Sequence, residues 1–180
     1  MSCSLQDPER ELVRWRVFRN PRVVSNHTEP SLLKKGAALN QSGPFFMDET
    51  MRLSVKTHSQ TEMIDVTPLV QQQVNESGMD SGLCMVFVPH TTAAVTINES
   101  ADPAVARDIL MVLNKIVPWK EAYRHMEGNS PAHLKTAIIG SSETIAIENG
   151  RLVLGTWQGI FFCEFDGPRT RKLDIRLIRA

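Results

Sequence analysis

The sequence predicts an α+β domain, and three observations carry that reading. Strand-like alternation opens and closes the region that starts at Met51. Three cap-plus-proline dipeptides, Thr67-Pro68, Asp102-Pro103 and Ser130-Pro131, mark helix starts, because proline at the first helical position sacrifices no hydrogen bond. Asn149-Gly150, set between two apolar runs, is the signature of a tight hairpin turn. Strands and helices do not alternate regularly, so a wound parallel sheet is not expected.

Each element has its own warrant. Leu53, Val55 and Thr57 alternate with Ser54 and Lys56 as a half-buried strand. A helix runs from Thr67-Pro68 to about Glu76 and stops at Gly78, which tolerates the left-handed conformation of a helix end. Leu83 to Val88 is an apolar run of strand length ended by Pro89, and Ala94 to Ile97 is a second short strand. Asp102-Pro103 opens the best helix, with Val105, Ile109, Val112, Leu113 and Ile116 at helical spacing and Pro118 as the stop. Ser130-Pro131 starts a shorter helix through Ile139. Thr144–Ile147 and Arg151–Leu154 form a hairpin, Gly155–Phe165 continues as strand, and Asp166-Gly167-Pro168 turns the chain into the alternating run Lys172–Ile178.

Residues 1–50 lack such patterning. Asp7-Pro8 suggests a short helix, yet Leu12, Val13, Trp15, Val17 and Phe18 form no clean stripe. This N-terminal extension is expected to be a loosely ordered arm, or to precede the true start, since Met51 opens the better-patterned segment. The organisation is therefore an extension, 1–50, and one domain, 51–180.

Composition narrows the function. Of 180 residues, 42% are apolar and 22% charged, as in globular domains. Twenty basic residues balance twenty acidic ones, which argues against electrostatic capture of nucleic acid. No apolar run reaches the roughly 18 residues needed to span a bilayer. The N-terminal stretch carries Asp7, Glu9 and Glu11 and has no apolar centre, so no targeting leader is indicated. Cys3, Cys84 and Cys163 form neither a CxxC pair nor a disulfide framework. A cytoplasmic protein, with no nucleic-acid and no membrane partner, is expected.

Polar residues gather at element ends, where sites are usually mounted. His90 follows a strand, His125 lies in a loop, and His133 sits in the first turn of a helix, whose dipole favours the neutral, ligand-competent imidazole. His27 and His58 are read as structural. Asn98, Glu99 and Asp102 form a second cluster; Asp102 caps a helix, and the carboxylates are candidates to orient a histidine or act as a base. Gly140-Ser141-Ser142 is either a helix end or a phosphate cradle. Gly155-Thr156-Trp157-Gln158-Gly159 offers a tryptophan for stacking on a flat ring, or for packing. Arg169, Arg171 and Lys172 are candidates to hold an anion, or solvated charges on an edge strand.

Taken together, Pro89-His90-Thr91-Thr92-Ala93, Ile97-Asn98-Glu99 with Asp102-Pro103, Tyr123-Arg124-His125, Ala132-His133-Leu134-Lys135, Gly155-Thr156-Trp157-Gln158-Gly159-Ile160, and Glu164 with Asp166-Gly167-Pro168-Arg169 resemble the YjbQ, or secondary thiamine-phosphate synthase, family from about Met51 to the end. The resemblance implies a β-sandwich of about seven strands in two sheets with two to three helices, assembled as a homotrimer. It implies a divalent metal, zinc first and magnesium with a diphosphate substrate, held by His90, His125 and His133. It implies a weak transferase making thiamine phosphate from hydroxymethylpyrimidine diphosphate and thiazole phosphate. In that setting Glu99, Asp102 and Asn98 are the catalytic candidates, and Ser141, Ser142, Thr156, Trp157, Gln158 and Arg169 the substrate-binding ones. A metal-dependent hydrolase of a small phosphorylated molecule and a non-enzymatic metal-binding trimer are the alternatives.

Overall fold

The computed structural model describes residues Thr50–Arg179; Asp7-Pro8, His27, Cys3 and the rest of the 1–49 region, with Ala180, lie outside the described residues. Eight strands and three helices follow in the order β1 (Thr50–Lys56), β2 (Glu62–Asp65), α1 (Thr67–Ser77), β3 (Ser81–Phe87), β4 (Ala93–Glu99), α2 (Pro103–Ile116), α3 (Ser130–Ile139), β5 (Ser142–Glu148), β6 (Arg151–Leu152), β7 (Gln158–Glu164) and β8 (Thr170–Arg179). All strand pairs are antiparallel, in a five-stranded sheet of order β1-β8-β3-β5-β6 and a three-stranded sheet of order β2-β7-β4. The α+β class therefore holds, with one strand more than expected. The extra strand, β2, is four residues long and carries Glu62 and Asp65 at its ends, so its short polar sequence gives almost no alternation to detect.

Side-chain alternation builds the layers. On β7, Ile160 and Phe162 enter a core between the sheets, with Val86 of β3, Ile175 of β8 and Val70 and Val74 of α1. Phe161 and Cys163, one step out of phase, enter a second core with Leu113 of α2 and Ala132 of α3. The three-stranded sheet is thus covered on both faces, which accounts for the nearly unbroken apolar run along β7. Gly159 is required at the start of that run. A Cβ there meets Ser100 Cβ at 2.7 Å and Oγ at 2.8 Å, so glycine admits the close approach of the β4–α2 turn.

The helix starts follow proline more faithfully than they follow the cap. Asp102 caps α2 as expected, its Oδ1 accepting from the Ala104 N–H at 2.8 Å. By contrast, Val66 and Asn129 stand at the cap positions of α1 and α3, so Thr67 and Ser130 are already helical. Asp65 Oδ1, one residue further back, accepts from the Thr67 N–H. The hairpin is as expected, with Asn149 at φ 51° and Gly150 at φ 72°, both left-handed as this turn demands. The α2 stripe is the clearest departure. Leu113 is buried and Ala106, Ile109 and Leu110 pack against the sheet, whereas Val112 and Ile116 face solvent.

Candidate functional site

The two sheets are stitched together at one end by polar groups. Alternation on β8 puts Arg171 on the inner face with Leu173, Ile175 and Leu177. Its guanidinium grips both oxygens of Glu164, at the end of β7, and donates to Thr92 Oγ1 at 2.9 Å. Thr57 donates to Glu164 Oε2, and the backbone N–H groups of Phe165 and Asp166 donate to Oε1. Burial pushes the Glu164 carboxyl up, but the bonds from Arg171, the Asp166 amide and Thr57 outweigh it and hold the group below the usual carboxylate range. Arg171 is therefore a structural partner and not the anion holder that its exposed-looking neighbours suggested; its place between apolar alternates was the available signal.

The three histidines lie around this end. His90 is half-buried, and its Nε2 accepts the Lys172 backbone N–H at 2.8 Å. Burial first, then the charge of Arg171, pulls its pKa below the ordinary histidine value, so the neutral form that can accept this bond is favoured. His125 and His133 meet edge to face with ring centroids 5.2 Å apart. Between them in sequence, Asn129 donates from Nδ2 to Asp166 Oδ2 at 3.1 Å, and Arg169 donates to the same oxygen at 3.0 Å. Asn129 Oδ1 is buried without a partner among the described residues. Ser141 and Ser142 belong to the same end: the Ser141 carbonyl accepts from the Val88 N–H, and Ser142 pairs with Phe87, two residues before Pro89-His90. Gly140 caps α3, its N–H bonded to the Thr136 carbonyl, so this segment is a helix end first.

The other candidates stand at the far end of β4. Ala93 pairs with Glu164 at the histidine end, while Asn98 and Glu99 pair with Gly159 and Gln158 at the opposite one. Seven residues of strand at about 3.3 Å each separate the two ends by roughly 20 Å. There Ser100 N–H donates to the Trp157 carbonyl at 2.8 Å, Gln158 Oε1 accepts from the Gly155 N–H, and Trp157 is 64% exposed. Thr156 and Gln158 are exposed beside it. Within the chain, Asn98, Glu99, Asp102, Thr156, Trp157 and Gln158 thus form a group apart from His90, His125, His133, Ser141, Ser142 and Arg169.

A three-histidine metal cage does not follow from these positions. A neutral imidazole has one lone pair, and that of His90 is engaged by the Lys172 amide. Among the described residues no three His, Cys, Asp or Glu side chains are grouped to hold an ion, so the donor set as it stands does not fit zinc. Two residues were given no role in the sequence reading. Glu143 shares the inner side of β5 with buried Ile145 and Ile147; it is half-buried, and burial pushes its pKa up. Lys135 is fully buried, with Nζ on Asn114 Oδ1 and 5.3 Å from the centroid of the Trp119 ring.

Comparison with known proteins decides the family. The model of the UPF0047 protein YjbQ-like family matches residues 51–180. The chain belongs to the YjbQ family. It is 51% identical over 127 residues to the UPF0047 protein YugU of Bacillus subtilis, covering 70% of this chain and 96% of that one. A UPF0047 protein from Methanocaldococcus jannaschii is 46% identical, covering 71% and 92%. Among solved structures, an uncharacterized conserved YjbQ/UPF0047 protein from Clostridium acetobutylicum matches with TM-score 0.70 and 55% identity over 71% of this chain and 99% of that one. A hypothetical protein from Aeropyrum pernix matches with TM-score 0.70 and 40% identity, covering 73% and 99%. The YjbQ fold is therefore shared across 51–180. No described helix is long and apolar enough to cross a membrane.

Proposed function

We propose that the histidine end of this YjbQ domain binds phosphorylated small molecules and joins hydroxymethylpyrimidine diphosphate to thiazole phosphate at a low rate. The observation that carries the reading is the His125–His133 edge-to-face pair at the start of α3, beside the Arg169–Asp166–Asn129 chain. In that reaction the thiazole nitrogen attacks the pyrimidine methylene, the carbon–oxygen bond to diphosphate breaks, and its electron pair leaves with diphosphate. The protein has to hold both rings in line and meet the growing negative charge with donors already in place. Arg169 and the Ser141 and Ser142 hydroxyls serve the phosphate oxygens, and the two imidazole N–H groups serve the leaving group. No step is assigned to a metal ion. The test is growth without thiamine of a strain lacking its own thiamine-phosphate synthase. Expression of the chain restores slow growth and His133→Ala abolishes it; equal growth of both, or growth of neither, removes the proposal.

Homotrimer formation belongs to the same reading. Leu83 and Ile178 face each other across the β3–β8 pair, on the outward side of the five-stranded sheet, and both are exposed, as is Phe87 further along β3. Outward positions of an antiparallel sheet in contact with water are ordinarily polar, and an apolar row on central strands supports coverage by further copies. Sedimentation is expected to give three times 20.2 kDa, about 60 kDa. A lone 20.2 kDa species at micromolar concentration removes the trimer.

A further inference from the structure

Of the chain's eight asparagines only Asn149 precedes a glycine. Such a pair is prone to lose the side-chain amide, because glycine leaves the attacking backbone nitrogen unshielded. Asn149 is exposed and shares with Gly150 the two-residue turn between Glu148 and Arg151, both at positive φ as a type I′ turn requires. β6 pairs with β5 at only two positions, so the hairpin gives this turn little support of its own. Contacts from outside the hairpin hold it. The Gly150 N–H donates to the Asp80 carbonyl at 3.0 Å. Gln71 of α1 stands along the edge of β6 where a further strand would pair. Its Nε2 donates to the Gly150 carbonyl at 2.9 Å, and its Oε1 accepts from the Leu152 N–H at 3.0 Å. The same Nε2 also donates to Asn75 Oδ1 at 2.8 Å, so the Gln71 amide is fully used.

We propose that Asn149 is a deamidation site gated by local opening of the β5–β6 hairpin, with Gln71 as the latch. Hydroxide removes the Gly150 amide proton, and the nitrogen attacks Asn149 Cγ. The new N–C bond forms as the Cγ–Nδ2 bond breaks, and ammonia leaves with a proton taken from water. Water then opens the succinimide at either carbonyl, giving aspartate or isoaspartate. One water is consumed and one ammonia released, with no oxidant or cofactor. In the closed hairpin the Asp80 carbonyl holds the proton that has to leave, and Gly150 is anchored at both its N–H and its carbonyl. Opening breaks these few edge bonds and leaves the core between the sheets intact. Isoaspartate adds one carbon to the main chain of the turn, so a two-residue connection no longer fits and the latch cannot close again. This site is independent of the reading of the histidine end.

The full chain is incubated at mildly alkaline pH and 37 °C, and the gain of one mass unit at Asn149 is followed by peptide mapping with isoaspartate detection. A free peptide of residues 144–155 sets the unprotected rate. The wild type is expected to convert at least tenfold more slowly than the peptide. Gln71→Ala is expected to convert at least threefold faster than wild type, with an unchanged far-ultraviolet circular-dichroism spectrum at that temperature. Ile175→Val, in the core, lowers the melting temperature and leaves the Asn149 rate at the wild-type value, because the opening is local. A wild-type rate equal to that of the peptide, equal rates in wild type and Gln71→Ala, or an Ile175→Val rate as high as that of Gln71→Ala overturns the proposal.

Discussion

Arg171→Met is expected to lower the unfolding free energy by about 3–5 kcal/mol, read from urea denaturation at neutral pH. The side chains of Arg171 and Glu164 are 5% and 0% exposed, so removing the guanidinium strands a carboxylate in the interior. The same change paired with Glu164→Gln recovers most of the loss, because the uncompensated charge is then gone and the Phe165 and Asp166 amides keep an oxygen to donate to. The pH dependence has a definite sign. The folded pKa of Glu164 lies below its unfolded value, so the unfolded chain binds the proton more readily in the window between the two. The stabilisation is complete above the unfolded carboxylate pKa and is lost as pH falls through the folded one. A single Arg171→Met variant that melts within about 0.5 kcal/mol of wild type contradicts this description of the sandwich end.

The second large effect has the opposite direction. Lys135→Met is expected to raise stability by about 1–2 kcal/mol, since a buried ammonium with one amide acceptor is poorly compensated. Asn114 Oδ1 and the Trp119 ring are its partners, and no carboxylate among the described residues pairs with it. Burial lowers its pKa from 10.5. The wild type therefore gains stability as pH rises through the folded pKa toward 10.5, because over that range the unfolded chain still holds the proton that the folded chain has released. The variant lacks that rise, and comparing the two alkaline stability curves isolates the lysine. A wild-type curve that runs parallel to the variant's across this range leaves no role for the buried amine.

Elements whose signals are local were legible from residues alone. Pro103 behind Asp102, Gly78 after α1 and Asn149-Gly150 each act within a few residues, and each marks the boundary it suggests. The α2 face was only partly legible, because the stripe Val105, Ile109, Val112, Leu113 and Ile116 mixes residues that pack, Ile109 and Leu113, with residues that face solvent, Val112 and Ile116. Only the sheet beneath the helix decides between them, and it selects the side of Leu110 and Leu113. The site divides in the same way. That His90, His125, His133, Ser141 and Arg169 stand at element ends could be read from Pro89, Pro131 and Gly140. That Glu99 and Trp157 lie a strand's length from the histidines could not, since it depends on the antiparallel pairing of β4 with β7. Arg171 and Glu164 show the same limit: their charges look solvated until the two sheets are stacked with both side chains inward.

The separation of the two polar ends also makes the functional account directly testable. Titration of the chain with hydroxymethylpyrimidine diphosphate, followed by NMR of the imidazole and indole resonances, distinguishes them in one experiment. The account predicts that the His125 and His133 ring signals shift saturably while the Trp157 indole signal stays in place. A saturable shift of Trp157 with unmoved His125 and His133 contradicts it.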